Sequence, residues 1–354
     1  MERPALPPVK HALTGGGWMA VDGGRRIIPE LDGTAEAATV NGGAPPTKDT
    51  FAHPLIRTTK TLDVQTVLMD STAWDGFPFR ADDVLVATYG KAGTSWMQAI
   101  LGHLLLGVGS DAAARPQAVS PWLDMRSATP VAERHAALAA QTHRRFLKSH
   151  LPLDALPYSP DLKYIYIGRD ARDLIWSMHN HHTSLLPEAL AALNALPGRV
   201  GPPMGPAPTD PVAYWRDWMD GDGAPWWPFW SHTRAWWAAR SLPNVLLLHY
   251  ADMLADLPAA VRRVAAFLAV PVTPEDVATI TERCSFAYMR AHAADVVPGG
   301  GHAFRGGAEA FIHKGTNGRW RGMLSEEDVA TYEARAVAEL GDDCARWLRE
   351  GGSV

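Results

Sequence analysis

Three short apolar runs, each followed by a segment of helical period, set the architecture that this 354-residue chain can adopt. They are VLVATY before the helix expected after Gly93, KYIYIG at 163–168 before DARDLIWSMHNH, and VLLLHY at 245–250 before LPAAVRRVAAFLAV. This alternation predicts an α/β fold with a central, mostly parallel β-sheet flanked by helices. Because ligands bind such sheets beyond the carboxyl ends of the strands, the loops that follow these runs are expected to converge.

The chain is predicted to contain one domain, residues 51–354, after an N-terminal extension. Residues 1–50 are rich in Gly, Pro and Ala without a steady period, which is typical of partly irregular structure. Pro and Gly recur between about 186 and 225, so this segment is predicted to form neither helix nor sheet and to act as a lid over a binding site. The adjoining WRDWMDGDGAPWWPFWSHTRAWW holds seven of the fourteen tryptophans and offers aromatic walls for a ligand.

Composition excludes several classes of protein. A net charge of −5 without a long Lys/Arg block argues against non-specific binding of nucleic acid. Two isolated cysteines, Cys284 and Cys344, are too few for a disulfide framework or a zinc site and favour a cytoplasmic protein. Because there is neither an N-terminal apolar core nor a long apolar run, no signal peptide or membrane span is expected.

The stretch YGKAGTSW at 89–96 predicts an anion site between the first strand and its helix. Backbone N–H groups at the helix start, the Lys91 ammonium and the hydroxyls of Thr94 and Ser95 are all suited to an anion. In the P-loop of nucleoside triphosphatases, the lysine follows the second glycine and precedes the residue that holds Mg²⁺. Here Lys91 precedes Gly93, so the order of residues differs from that of the common nucleotide-binding loop. An exposed lysine at an ordinary helix start is the alternative.

The segment FLKSHLP predicts a general base. Its apolar run leads Lys148 and His150 into a loop that Pro152 closes. A lone histidine is commonly structural, but a neighbouring cation lowers the imidazole pKa and keeps it neutral near pH 7, the state that a base needs. A P-loop kinase and a non-catalytic nucleotide-binding protein are the alternatives for the whole chain.

These segments together resemble the cytosolic-type sulfotransferases, and the chain is similar to a bacterial-like member of that family. FRADDVLVATYGKAGTSW is similar to the 5′-phosphosulfate loop, usually TYPKSGTTW, and FLKSHLPLDALP to the segment of the catalytic histidine, usually KTHLP. GRDARDLIWS resembles the 3′-phosphate motif RNPKDxxxS, and KGTNGRW the terminal motif RKGxxGxW. The resemblance covers roughly residues 55–335, in the family's order.

The resemblance implies a single sulfotransferase domain with a P-loop-like loop that uses 3′-phosphoadenosine 5′-phosphosulfate (PAPS), releases 3′,5′-adenosine diphosphate and requires no metal. It implies that a small-molecule hydroxyl acceptor, a mainly apolar alcohol or phenol, receives the sulfuryl group. His150, Lys91 and Lys148 would be catalytic. The donor would contact the following residues: Lys91, Gly93, Thr94, Ser95, Trp96, Arg169, Ser177, Tyr250, Phe286, His313, Lys314 and Gly315.

The sequence also departs from the family pattern. Gly90 and Ala92 replace a proline and a serine, so weaker phosphate binding is expected. His313 replaces the arginine before KG, and either Arg305 or Arg319 is a candidate to compensate. The usual dimer motif survives only as RGMLSEEDVA, which leaves the oligomeric state open. The histidines of HNHH, which are His179, His181 and His182, are interpreted as pocket-lining or surface residues in preference to metal ligands.

Overall fold

Four parallel strands form the central sheet of the protein. A computed structural model describes residues 58–354 and the backbone of residues 19–20. The sheet contains β3 (Val84–Thr88), β4 (Phe146–Ser149), β5 (Lys163–Gly168) and β6 (Val245–His249) in the spatial order β4-β3-β5-β6. Its registers pair Val84 with Phe146, Val84 with Lys163, and Tyr164 with Val245. The predicted α/β fold with a parallel sheet is confirmed.

Both faces of this sheet are buried because alternate residues along each strand point into different cores. Leu85 and Ala87 belong to one apolar cluster, whereas Val84 and Val86 belong to the other. All five residues of β3 are buried, which explains why its sequence is a continuous apolar run and not an alternating one. The two layers of helices therefore enclose the sheet.

The remaining regular structure of the described residues is mainly helical. In chain order they are α1 Thr94–Leu106, α2 Asp111–Ala114, α3 Pro116–Val119, α4 Val131–Ala139, α5 Ala171–Thr183, α6 Pro187–Asn194, α7 Pro211–Asp220, α8 Trp230–Ala238, α9 Tyr250–Ala255, α10 Leu257–Phe267, α11 Pro274–Arg283, α12 Phe286–Ala291, α13 Ala293–Val296, α14 Gly307–Phe311, α15 Glu326–Leu340 and α16 Asp342–Glu350. Short 3₁₀ turns lie at Ser71–Trp74, Leu153–Ala155 and Pro298–Gly301. Within the described part of the chain, no helix is long and apolar enough to cross a membrane.

Side chains at the helix starts explain where the predicted helices begin. Asp170 accepts a hydrogen bond from the Arg172 N–H at 2.9 Å and caps α5, as its place after the strand predicts. Ser325 and Asp328 form a reciprocal capping box at the start of α15. These caps satisfy N–H groups that have no partner within the helix.

The prediction that residues 186–225 contain no helix is wrong. Helices α6 and α7 lie in this segment, and each has its proline, Pro187 or Pro211, at the first helical position. Proline is favoured there because the N–H it lacks would have no intrahelical partner and its fixed φ suits the helix. Residues 195–210, between the two helices, are irregular. No residue of α6 is fully buried.

The predicted N-terminal extension lies outside the described residues, with one exception. The two-residue strand β1 (Met19–Ala20) pairs antiparallel with β2 (Val64–Gln65). This contact joins a short part of the extension to the beginning of the described domain.

Candidate active site

Each strand of the central sheet ends beside a residue that the sequence singles out. The loop after β3 carries Lys91, and His150, Arg169 and Tyr250 directly follow β4, β5 and β6. Because the strands are parallel, these four side chains lie at the same edge of the sheet. The expected convergence of the loops is therefore observed.

A cavity of about 1080 Å³ opens at this edge. All of the predicted site residues line it: Lys91, Gly93, Thr94, Ser95, Trp96, Lys148, His150, Arg169, Ser177, Tyr250, Phe286, His313, Lys314 and Gly315. They come from six separate parts of the chain, and the fold brings them together. Their placement fits the predicted roles, which remain predictions.

The loop that precedes α1 has a backbone shaped for an anion. Lys91 has a φ of +66°, and Gly93, which caps α1, has a φ of +110°. These left-handed conformations turn the chain sharply, so that the unpaired N–H groups of the first turn of α1 face the cavity end of the sheet. The Thr94 hydroxyl lies 2.5 Å from the hydroxyl of Thr88.

Two lysines line the cavity without a carboxylate partner: Lys148 is buried and Lys91 is half-buried. The pKa of Lys91 is lowered to about 7 by burial and by the charges of Arg169 and Lys148. Burial lowers the pKa of Lys148 to about 8, although Asp124 partly opposes this shift. Neither lysine forms an ion pair with another described residue; the Lys91 ammonium lies 3.7 Å from the centre of the Phe311 ring. Buried cations of this kind fit a multiply charged anion.

His150 is fixed in the tautomer of a base. Its Nδ1 lies 2.7 Å from the Thr88 carbonyl oxygen, which can only accept, so Nδ1 carries the proton and Nε2 keeps a lone pair. Burial and then the Lys148 charge hold the imidazole pKa well below its ordinary value. The ring packs against Trp122 and Trp227, with centroids 4.6 Å and 5.5 Å away. The neutral imidazole that the sequence predicts follows from these contacts.

Asp124 organises this part of the site, although no sequence motif identifies it. Its Oδ1 accepts from the Trp122 indole, while its Oδ2 accepts from Trp74 at 2.8 Å and from the Ser149 hydroxyl at 2.5 Å. Burial raises the pKa of Asp124 to about 6. One carboxylate thus ties a wall of the cavity to β4, the strand that carries Lys148.

Arg169 connects two loops around the cavity. Its guanidinium donates to the Lys91 carbonyl at 2.8 Å, the Thr316 carbonyl at 3.2 Å, and the Asn317 side chain at 3.2 and 3.0 Å. It also stacks on Tyr250, 4.0 Å from the ring centre. Since four of its five N–H bonds have protein acceptors, one Nη1 hydrogen remains for a ligand.

Three of the residues predicted to contact the donor are aromatic, and all three line the cavity: Trp96, Tyr250 and Phe286. The Trp96 indole donates to the Cys284 carbonyl at 2.8 Å, and its ring meets Tyr250 edge-on at 5.5 Å. Phe286 is 40% exposed, so it is not an ordinary core residue. A Cβ on Gly315, whose φ is +66°, would lie 2.5 Å from the Phe286 ring, and only glycine allows this close approach.

The terminal loop places several positive side chains beside the cavity. His313, Lys314 and Arg319 line it, whereas Arg305 is not among the lining residues. Burial, together with Arg319, Lys314, Arg290 and Lys91, lowers the pKa of His313. Arg305 and Arg319 are the candidates to compensate for the absence of an arginine at position 313, and only Arg319 lines the cavity.

Two of the three clustered histidines hold a loop. The Nε2 atoms of His179 and His182 donate to the carbonyl oxygens of Pro208 and Gly205, at 2.8 and 2.9 Å. They fasten the irregular segment 195–210 to α5. Among residues 58–354, no group of three or more His, Cys, Asp or Glu side chains is placed to hold a metal ion.

The other end of the cavity is mainly apolar, and it includes residues of both the tryptophan-rich segment and the Pro/Gly-rich segment that the sequence singles out. These lining residues include Leu68, Trp122, Met125, Met178, Leu185, Ala189, Ala192, Leu193, Met204, Trp226, Trp227, Phe304 and Phe311. Helix α6 contributes Ala189, Ala192 and Leu193 to this lining. This end suits an apolar ligand.

Comparisons with known proteins agree with this arrangement. The profile of a family described as "Sulfotransferase domain" matches residues 81–342. A glycolipid sulfotransferase of Mycobacterium bovis (strain BCG / Pasteur 1173P2) is 30% identical over 326 residues, which cover 84% of this chain and 96% of the relative. Sulfotransferase 1A1 of Rattus norvegicus is 26% identical over 283 residues, which cover 78% of this chain and 88% of the relative.

Solved structures share the fold. Retinol dehydratase in complex with androsterone and the inactive cofactor PAP matches with a TM-score of 0.61 and 24% identity, over 80% of this chain and 90% of that chain. Mouse sulfotransferase SULT7A1 complexed with PAP matches with a TM-score of 0.60 and 21% identity, over 78% and 92%. At these identities the likeness concerns the fold alone.

Proposed function

Because the chain belongs to the sulfotransferase domain family and is a PAPS-dependent sulfotransferase, we propose that it sulfates the hydroxyl of a mainly apolar alcohol or phenol, with His150 as general base. PAPS supplies an activated sulfuryl group. The acceptor oxygen forms a bond to sulfur while the bond from sulfur to the 5′-phosphate oxygen breaks. The products are the sulfate ester and 3′,5′-adenosine diphosphate.

The observation that carries this proposal is the meeting of Lys91, Lys148 and His150 in one cavity. His150 receives the hydroxyl proton on Nε2, since Nδ1 is occupied by the Thr88 carbonyl. Lys91 stabilises the charge that develops on the departing phosphate oxygen, and Lys148 holds the sulfuryl oxygens. The transition state of such a transfer is loose, and the protein forms no covalent bond to the transferred group. Positioning of the reactants and stabilisation of the developing charge therefore supply most of the rate enhancement.

We propose that the nucleotide lies at the α1 end of the cavity. Trp96, Tyr250 and Phe286 hold adenine, while the α1 N–H groups, Thr94 and Ser95 hold the 5′-phosphate. For the 3′-phosphate we propose the free Nη1 hydrogen of Arg169, the Ser177 hydroxyl, and the terminal-loop residues His313, Lys314 and Gly315 with Arg319.

The acceptor class follows from the apolar end of the cavity, where tryptophan, leucine and methionine side chains outnumber charged groups. The named activity of the mycobacterial relative, sulfation of a glycolipid, supports an acceptor with a large apolar part. The chain's two cysteines are free and buried, which fits the cytoplasmic location that we propose.

The direct test is turnover of PAPS with a panel of alcohols and phenols, followed through release of 3′,5′-adenosine diphosphate. We expect His150→Ala to lower kcat by about 10² to 10⁴ while affinity for 3′,5′-adenosine diphosphate changes little, because the histidine faces the acceptor. His179→Ala is the control, since His179 lies on α5 outside the cavity lining and contacts the Pro208 carbonyl and the Tyr214 ring. Near-wild-type turnover in His150→Ala would remove this histidine from the mechanism.

A further inference from the structure

His181 lies in the wall of the cavity among aromatic side chains. Its ring centroid is 4.9 Å from Phe304, 5.5 Å from Phe311 and 5.8 Å from Trp226. The residue belongs to α5 but points to a different side from His179 and His182, which both contact Tyr214. An aliphatic or aromatic residue would complete such an apolar wall, so the presence of an imidazole needs a reason.

This imidazole has no hydrogen-bond partner among the residues that the structure describes. Its Nδ1 is buried and unpaired, whereas His179 and His182 each donate to a backbone carbonyl. Leaving a buried polar atom without a partner costs roughly 1 to 3 kcal/mol. Its Nε2, unlike Nδ1, is not a fully buried unpaired atom, and because His181 lines the cavity this nitrogen can contact a bound molecule.

A continuous set of contacts places His181 near the reacting groups but not among them. On one side Trp226 contacts Trp227, which packs against His150. On the other side Phe311 lies under the Lys91 ammonium. His181 therefore faces the space that we assign to the acceptor, at a different part of its wall from the base.

We propose that His181 is a specificity-determining residue whose Nε2–H donates a hydrogen bond to a second oxygen of the acceptor. One nitrogen of a neutral imidazole carries the proton. Nδ1 is sealed from water and has no protein acceptor, so a proton there would have no hydrogen-bond partner. A proton on Nε2 can instead be donated to a ligand in the cavity. The acceptors selected in this way carry a hydroxyl, ether or carbonyl oxygen at a distance from the reacting hydroxyl. This inference rests on the proposed function.

Matched acceptors separate this second contact from the chemistry. Straight-chain α,ω-diols are compared with 1-alkanols of equal length, and 4-(hydroxyalkyl)phenols with 4-alkylphenols, across a series of chain lengths. The quantity is the ratio of kcat/KM for the two members of each pair. We expect wild type to favour the oxygen-bearing member by about five- to tenfold at the best-fitting length, the worth of one net hydrogen bond.

Two variants decide the role of the imidazole. His181→Phe keeps the ring and should remove the preference, while His181→Gln returns an N–H donor near the position of Nε2 and should restore part of it. A diol has two equivalent reacting hydroxyls, which doubles its kcat/KM on statistical grounds. This factor is the same for wild type and both variants, so it does not affect the comparison. Equal ratios in wild type and His181→Phe would overturn the proposal, and so would a preference retained in His181→Phe but lost in His181→Gln.

Binding without turnover keeps the proposal separate from the proposed function. Calorimetric titration of the diol and the alkanol into the complex of enzyme and 3′,5′-adenosine diphosphate should give the same preference in wild type and its loss in His181→Phe. If no alcohol or phenol is sulfated by wild type, the proposed acceptor class fails, whereas equal affinities for diol and alkanol in wild type refute the His181 contact. Melting temperatures with the nucleotide bound verify that each variant is folded.

Discussion

The Lys91 ammonium should make the affinity for the nucleotide depend on pH between about 7 and 9. Its pKa in the ligand-free protein is about 7, because the side chain is buried beside Arg169 and Lys148. A bound polyanion holds the same lysine charged. Binding above pH 7 therefore takes up a proton, and affinity falls as the pH rises.

The size of the effect follows from the fraction of lysine that is already charged. Lys91 is about one-half protonated at pH 7 and about one-hundredth protonated at pH 9, which weakens binding about fiftyfold. Lys148, with its pKa of about 8, adds about tenfold over the same range. Wild type should thus lose about 500-fold in affinity for 3′,5′-adenosine diphosphate, whose phosphates are already dianionic above pH 7. Lys91→Ala should lose only about tenfold, the share of Lys148.

Calorimetry in pairs of buffers with different ionisation enthalpies measures both affinity and proton uptake. At pH 8 the Lys91 site alone should take up about 0.9 proton in wild type and none in Lys91→Ala. Lys163→Ala is the control, because Lys163 begins β5 at the opposite edge of the sheet and contacts Phe267. An equal pH dependence in wild type and Lys91→Ala would refute the reasoning.

Three further predictions concern the nucleotide and the segment above it. Gly315→Ala should weaken binding of 3′,5′-adenosine diphosphate at least tenfold by calorimetry, because the added Cβ would displace Phe286. Gly322→Ala is the control, since a Cβ at Gly322 meets no neighbouring atom. Unchanged affinity in Gly315→Ala would remove Phe286 from the nucleotide site. His313→Arg should remove the share of His313 in the tightening of nucleotide binding between pH 8 and 6, because a nearby phosphate dianion raises the imidazole pKa and arginine does not titrate in this range; identical pH profiles would refute the contact. Hydrogen exchange over residues 186–211 should slow when 3′,5′-adenosine diphosphate and acceptor bind, and equal exchange in both states would contradict a lid.

The strands and the nucleotide end of the cavity could be predicted from the sequence because their signals are local. A buried parallel strand is a continuous apolar run, and the residue that follows it lies at the ligand-binding edge by topology alone. His150 and Arg169 directly follow their strands, and Lys91 lies in the loop after β3. Their mutual placement needs no knowledge of the rest of the chain.

The acceptor end could not be predicted in the same way. A high density of Pro and Gly favours irregular structure, yet Pro187 and Pro211 are the first residues of helices. Whether a proline ends or begins a helix depends on the residues that follow it. Asp124 and His181 act through partners far away in the sequence, such as Trp74 and Phe304. Contacts between such distant segments leave no periodic pattern, so only the folded structure reveals them.

The left-handed backbone at Lys91 means that this sequence is not the most stable one for its own fold. A side chain at φ +66° costs roughly 1 to 2 kcal/mol relative to glycine, and the buried ammonium adds a desolvation cost. Protein engineering that selects only for thermal stability would therefore favour Lys91→Gly and would remove the group that we assign to the departing phosphate. Any stabilisation programme for this enzyme has to exclude position 91 from its search.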